Sequence, residues 1–155
     1  MPVTDTRKTT PGLRVFEKYA VAVGGCSNHR YGLADGILIK DNHIAACGGV
    51  KEAVLRIKEQ VPHTMRVEIE VSNTAQIEEA LEAGAEVLLL DNMAPEELEE
   101  AVSLARALRP DVILEASGGV TLDNVRQIAE TGVDIASSGV LTHSYKSIDL
   151  SLKIK

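Results

Sequence analysis

Two periodicities alternate along this chain. Short runs that are apolar throughout, or apolar at every second position, fall at Val3–Thr6, Gly36–Lys40, Arg66–Val71, Val87–Asp91, Val112–Ser117 and Ile135–Ser138. They predict strands. Between them, apolar residues at helical spacing predict helices at Leu13–Val23, Val50–Gln60, Thr74–Ala83, Pro95–Leu108 and Leu122–Glu130. Pro95 suits a first helical turn, and Glu96 and Glu97 beside it complement the helix dipole. Pro110 closes that helix. Two joins read alike, Leu81–Val87 and Ala129–Ile135. In each, a helix stops at a glycine (Gly84, Gly132) and a strand starts soon after, as a left-handed C-terminal cap would allow.

Strand–helix alternation at this spacing implies right-handed βαβ units and a parallel sheet. Six units suit either an open doubly wound sheet or a TIM-like α/β barrel, incomplete at about six strands. The expectation carried forward is the barrel, as a single domain over residues 1–155. One stretch resists the alternation. Val23–Gly32 is glycine-rich and polar, and reads as a long ordered loop with a functional purpose.

Composition narrows the classes. The apolar residues are aliphatic, with one Phe and no Trp, which suits parallel strands covered by helices. A net charge of −7, with no basic stripe interleaved with aromatics, argues against nucleic acid as a partner. No apolar stretch reaches the roughly 18 residues that span a bilayer, so no membrane partner is expected. Met1–Asp5 lacks a signal-peptide pattern. Cys26 and Cys47 stand apart without metal-ligand spacing, which suits free thiols in a reducing cytoplasm.

Charge is unevenly spread. Residues 1–40 hold six Lys/Arg against three carboxylates, a balance of +3 within a chain of net −7. Arg7, Lys8, Arg30 and Lys40 fall at predicted strand ends or in the long loop, where they could hold a small anion, Arg through its planar fork and Lys as a point charge. Solvated surface charges are the alternative. In Val67–Val71, alternation sets both Glu68 and Glu70 opposite the apolar face, hence inside a barrel. Glu115 and Ser117 share a face in the same way. Asp91 ends its strand, where ligands bind in such barrels. An internal salt bridge or a helix N-cap explains any one of these carboxylates equally well. Ser117-Gly118-Gly119 and Ser138-Gly139 each follow a strand and precede a helix, a setting for phosphate on backbone N–H groups. A tight turn without ligand is the alternative for either. His43, His63 and His143 show no ligand pairing and suit surface or capping roles. His29 differs only in lying beside Arg30.

These runs together resemble the quinolinate phosphoribosyltransferase family. The matching stretches are DTRKTTPGLR at 5–14, EKYAVAVGG at 17–25, NHRYGL at 28–33, LIKDNHI at 38–44, VEIEVSN at 67–73, LLLDNMAPEEL at 88–98, LEASGGVTLDNV at 114–125 and ETGVDIASSGVLTHS at 130–144. The resemblance implies transfer of phosphoribosyl from phosphoribosyl pyrophosphate to quinolinate with decarboxylation, in NAD biosynthesis. It implies Arg7, Lys8, His29, Arg30 and Lys40 as the quinolinate pocket. Glu70 and Asp91 would face the ribose and carry magnesium as cofactor, with Lys40 beside them in the catalytic set. Ser117, Gly118, Ser138 and Gly139 would cradle the 5-phosphate. It further implies a homodimer or higher homo-oligomer, and a separate N-terminal α/β sandwich domain that has no counterpart in 1–155. Cys26 stands where the family usually has a third glycine. Two alternatives remain: a truncated barrel that binds without turnover, and a relative from molybdenum-uptake operons.

Overall fold

The computed structural model describes residues 1–154. Six strands form one parallel sheet: β1 (Val3–Thr4), β2 (Ile37–Ile39), β3 (Val67–Val71), β4 (Val87–Asp91), β5 (Ile113–Ser117) and β6 (Ile135–Ser137). Between and after them run α1 (Arg14–Val23), α2 (Asp41–Cys47), α3 (Val50–Lys58), α4 (Thr74–Glu82), α5 (Pro95–Leu108), α6 (Val125–Glu130) and α7 (Val140–His143). The strand order is β1-β6-β5-β4-β3-β2. Neighbours therefore succeed one another in chain order from β2 to β6, and β1 returns beside β6. A doubly wound sheet would reverse direction at a switch point. This one winds a single way, as a barrel does.

The barrel is not closed by hydrogen bonds. β1 and β2 end the sheet on either side of a seam. The glycine-rich loop fills it: Ser27 donates its N–H to the Val3 carbonyl at 2.9 Å and accepts from Asp5 N–H at 3.1 Å. That loop was expected to be ordered, and it acts as a partial seventh staff.

Register places side chains as alternation demands. Val67, Ile69 and Val71 are buried on the outer face of β3 against Ile77 and Ala80 of α4, and Leu88, Leu90 and Leu114 continue the layer. This apolar shell between sheet and helices is the main core. Asn73 caps α4 by accepting from Gln76 N–H at 3.0 Å, and Glu97 caps α5 through Ala94 N–H at 2.7 Å. Gly84 (φ 93°) and Gly132 (φ 91°) take the left-handed conformation expected of the two helix–strand joins. Arg106 of α5 clamps Asp134, just before β6, through two 2.7 Å bonds.

Two short helices, α2 and α7, were not expected. Each starts directly at a strand's C-terminal loop, where four to seven residues leave too few turns for a periodic pattern. In α2, Lys40 N–H donates to His43 Nδ1 at 2.9 Å, so His43 takes the capping role assigned to it. Helix α1 buries Glu17, Lys18 and Val21 and exposes Val15, Phe16, Tyr19 and Val23.

Candidate active site

The loop from Asp5 to Gly12 is built around two charged residues of α1. Asp5 is fully buried and accepts from Lys18 Nζ at 2.5 Å. Lys18 Nζ also donates to the His29 carbonyl at 2.9 Å, and Asp5 accepts from His29 N–H at 2.8 Å. The pair thus fixes the His29 backbone at both ends of its peptide. Glu17 accepts from Thr10 N–H at 3.0 Å. Arg14 donates to the Arg7 carbonyl at 3.1 Å and the Tyr31 carbonyl at 3.2 Å. A loop of mostly polar residues becomes rigid because its backbone groups bond to charged side chains rather than to water.

These restraints present one cavity of about 490 Å³ at the C-terminal ends of the strands. Every strand or the residues just past it contributes: Thr6, Arg7 and Lys8 after β1, Leu38 and Lys40 from β2, Glu70 from β3, Leu89, Asp91 and Asn92 from β4, Glu115, Ser117, Gly118 and Gly119 from β5, and Ser137 from β6. His29 and Arg30 enter across the seam. A second cavity of about 350 Å³ lies against β2, lined largely by apolar groups such as Leu33, Ile37, Ile39 and Ile57. Of these two, the first gathers opposed charges.

The structure therefore brings together Arg7, Lys8, His29, Arg30, Lys40, Glu70, Asp91, Ser117 and Gly118, as the sequence suggested. Ser138 is not among the lining residues. Strand alternation turns Ser137 inward, and Ser138 donates its buried hydroxyl to the Val120 carbonyl at 2.7 Å. Gly139 opens α7 outside the cavity lining, close under His143: a Cβ there would lie 2.6 Å from His143 Nε2. Lys40 is the counter-charge of Glu70, at 2.5 Å.

Below the mouth, His29, Glu68 and Glu115 bring their ligand-type atoms within 4.8 Å of one another. His29 Nε2 is 3.4 Å from Glu68 and 3.6 Å from Glu115. His29 Nδ1 accepts from Arg30 N–H at 2.8 Å, so the ring proton sits on Nε2. A protonated Nε2 does not ligate, and the trio reads as a cluster of charge contacts rather than a metal centre. Burial, followed by the Glu68 charge, raises the Glu115 pKa above the ordinary carboxyl range. Burial opposes charge on His29, but the Glu68 hydrogen bond and the Glu115 and Glu68 charges outweigh it and raise its pKa. Burial and the neighbouring Arg7 lower that of Arg30.

Two features suit an anionic, oxygen-rich ligand. Arg7 Nε is buried with no hydrogen-bond partner. Glu70 and Asp91 each have one oxygen engaged, by Lys40 and by Asn92 Nδ2 at 2.7 Å. The second oxygen of each accepts no hydrogen bond from the described residues, and carboxylate oxygens are the ligand type that magnesium takes.

Residues 1–153 match the family described as quinolinate phosphoribosyl transferase, C-terminal domain. The chain belongs to the quinolinate phosphoribosyltransferase family. It is 47% identical over 152 residues to a protein of Bacillus subtilis (strain 168) named "Probable nicotinate-nucleotide pyrophosphorylase [carboxylating]", covering 98% of this chain and 52% of that protein. It is 45% identical over 152 residues to the human protein named "Nicotinate-nucleotide pyrophosphorylase [carboxylating]", covering 98% and 51%. The crystal structure of NadC from Streptococcus pyogenes superposes with a TM-score of 0.89 at 46% identity, over 99% of this chain and 53% of that one. The chain thus spans about half the length of the relatives it matches.

Sequence reasoning missed the Asp5–Lys18 pair, Thr6, Asn92 and Ser137. Asp5 and Lys18 lie thirteen positions apart, and nothing in the runs DTRK and EKY says that they meet. Asn92 was visible beside Asp91, but its backbone conformation was not.

Proposed function

We propose that this chain is the barrel half of a quinolinate phosphoribosyltransferase. In this reading it transfers phosphoribosyl from phosphoribosyl pyrophosphate to quinolinate, giving nicotinate mononucleotide, pyrophosphate and carbon dioxide. One observation carries the reading: cations for a dicarboxylate and carboxylates for a ribosyl centre share one cavity.

The chemistry follows from those residues. Arg7, Lys8 and Arg30 hold the two carboxylates of quinolinate and aim its ring nitrogen at the anomeric carbon. The bond from that carbon to pyrophosphate breaks, and its electron pair leaves with pyrophosphate. Positive charge grows on the ribose ring, and Glu70 and Asp91 stabilise it from fixed positions. The ring nitrogen then supplies the pair for the new C–N bond. Lys40, paired with Glu70, stands at the cavity mouth. Loss of the 2-carboxylate as carbon dioxide leaves an electron pair on C2, stabilised by the adjacent cationic nitrogen, and a proton replaces the carboxylate. No protein nucleophile is needed. Glu70 and Asp91 would hold magnesium, which when bound neutralises the leaving pyrophosphate. The Ser117–Gly119 loop supports a role for its backbone N–H groups as the 5-phosphate cradle.

The reading extends to setting and assembly. Free Cys26 and Cys47 support a reducing cytoplasm, and no helix among the described residues is long and apolar enough to cross a membrane. Exposed Phe16, Tyr19 and Val23 on α1 support a homo-oligomer.

The test is incubation with quinolinate labelled in the 2-carboxylate, phosphoribosyl pyrophosphate and magnesium. Stoichiometric labelled carbon dioxide and nicotinate mononucleotide are expected. Binding of both substrates without product would restrict this chain to a binding module. A folded chain that binds neither would sink the proposal.

A further inference from the structure

Asn92 is the one non-glycine among the described residues with a positive φ, at 54°. Asn tolerates this region better than most residues, but it still costs free energy, and such positions persist where surrounding contacts hold them. Here the contacts span two strands. Asn92 Nδ2 donates to Asp91 Oδ2 at 2.7 Å, and Asn92 N–H donates to the Ser117 carbonyl at 2.9 Å. Its Oδ1 lies 2.1 Å from where a Cβ on Gly118 would stand, so the side chain occupies the space that Gly118 leaves open. Asn92 also lines the cavity between these two neighbours.

We propose that Asn92 is a positioning residue that locks the Asp91 carboxylate and the Ser117–Gly118 loop into one fixed relation. The carboxylate ends β4 and the loop ends β5. In the phosphoribosyltransferase reading, on which this proposal rests, they meet opposite ends of one ligand: the pyrophosphate end and the 5-phosphate. A ligand with anionic groups at both ends is held well only where the two subsites keep their separation. Asn92 sets that separation through one side chain. It leaves Asp91 Oδ1 to face the ligand while Oδ2 is tied back. The residue acts through Asp91 and Gly118, and the dicarboxylate pocket around Arg7 and Arg30 does not depend on it.

The decisive variant is Asn92→Gly. Glycine takes the φ of 54° without cost and deletes the amide. Calorimetry would measure phosphoribosyl pyrophosphate with magnesium, ribose 5-phosphate alone and quinolinate alone, beside a thermal melt. Deleting a hydrogen bond to a charged group is worth one to two orders of magnitude in an equilibrium constant. We expect phosphoribosyl pyrophosphate to bind about tenfold or more weakly to the variant, with quinolinate within about twofold of the parent. Ribose 5-phosphate should weaken less than phosphoribosyl pyrophosphate, because it engages one subsite. If Asn92 only shapes a turn, Asn92→Gly melts no lower than the parent and binds phosphoribosyl pyrophosphate equally well, which overturns the proposal. Equal weakening of all three ligands also overturns it, because the effect would then be general. A parent chain that binds no phosphoribosyl pyrophosphate overturns the functional reading itself, and the two failures are separable. Asn92→Ala serves as a control, adding backbone strain at positive φ to the lost amide and so melting below Asn92→Gly.

Discussion

Replacing Lys18 by methionine tests whether the seam of the barrel hangs on one buried ion pair. Asp5 is fully buried and Lys18 is 3% exposed, with Nζ 2.5 Å from the carboxylate. Methionine fills much of the same volume and removes the charge. Asp5 then keeps one backbone donor, His29 N–H at 2.8 Å, and loses its counter-charge. Breaking a buried pair by removing one partner costs about 3–5 kcal/mol, because the remaining charge stays buried and uncompensated. A domain of this size has about 5–15 kcal/mol in all. At about 2–4 °C per kcal/mol, the melt should fall by about 6–20 °C. The double variant Asp5→Asn/Lys18→Met removes both charges and keeps an acceptor for His29 N–H. It should recover most of the loss, with a coupling of about 2 kcal/mol or more in the double-mutant cycle. The assay is urea denaturation followed by far-UV circular dichroism, with unchanged slope confirming a comparable unfolding. A loss below about 1 kcal/mol for Lys18→Met would refute the reasoning, since it would mean that Asp5 finds water or protonates at little cost.

Glu115→Gln tests the array below the mouth through pH. Burial and Glu68 raise the folded-state pKa of Glu115, so the native state holds its proton more tightly than the unfolded chain. That contribution is intact below the ordinary carboxyl range and fades as pH rises through the raised value. The variant should therefore gain in melting temperature relative to the parent as pH goes from 5 to 8, and a constant gap would refute the assignment. Glu70→Gln should lower kcat by about 10²–10³ in the turnover assay while quinolinate binding survives, as expected for a group that stabilises transition-state charge. Ser138→Ala should cost about 1 kcal/mol in denaturation for its lost bond to Val120, and a larger loss in phosphate binding than in stability would return Ser138 to the ligand site.

Much of the site could be read from the chain alone because strands carry an exact period of two. Once Val67, Ile69 and Val71 were assigned outward, Glu68 and Glu70 had to point inward, and the same rule set Glu115 with Ser117. At β6 the same alternation turns Ser137 to the cavity, and Ser138, beside the Gly139 that suggests a phosphate loop, bonds to Val120 instead. Helices α2 and α7 escaped because so few turns leave no period to detect.

The linear order of residues by itself determined the βαβ alternation, the parallel sheet, the inward carboxylates and the family, since each depends on local periodicity or on contiguous motifs. Tertiary structure alone decided what distant residues do to one another. It left the sheet open between β1 and β2 and set Ser27 across the seam. It buried Lys18 against Asp5, gave Glu70 to Lys40, and folded Asn92 back over Gly118. Pairings of this kind depend on which charges are removed from water together, and burial is a property of the packed chain rather than of any run within it.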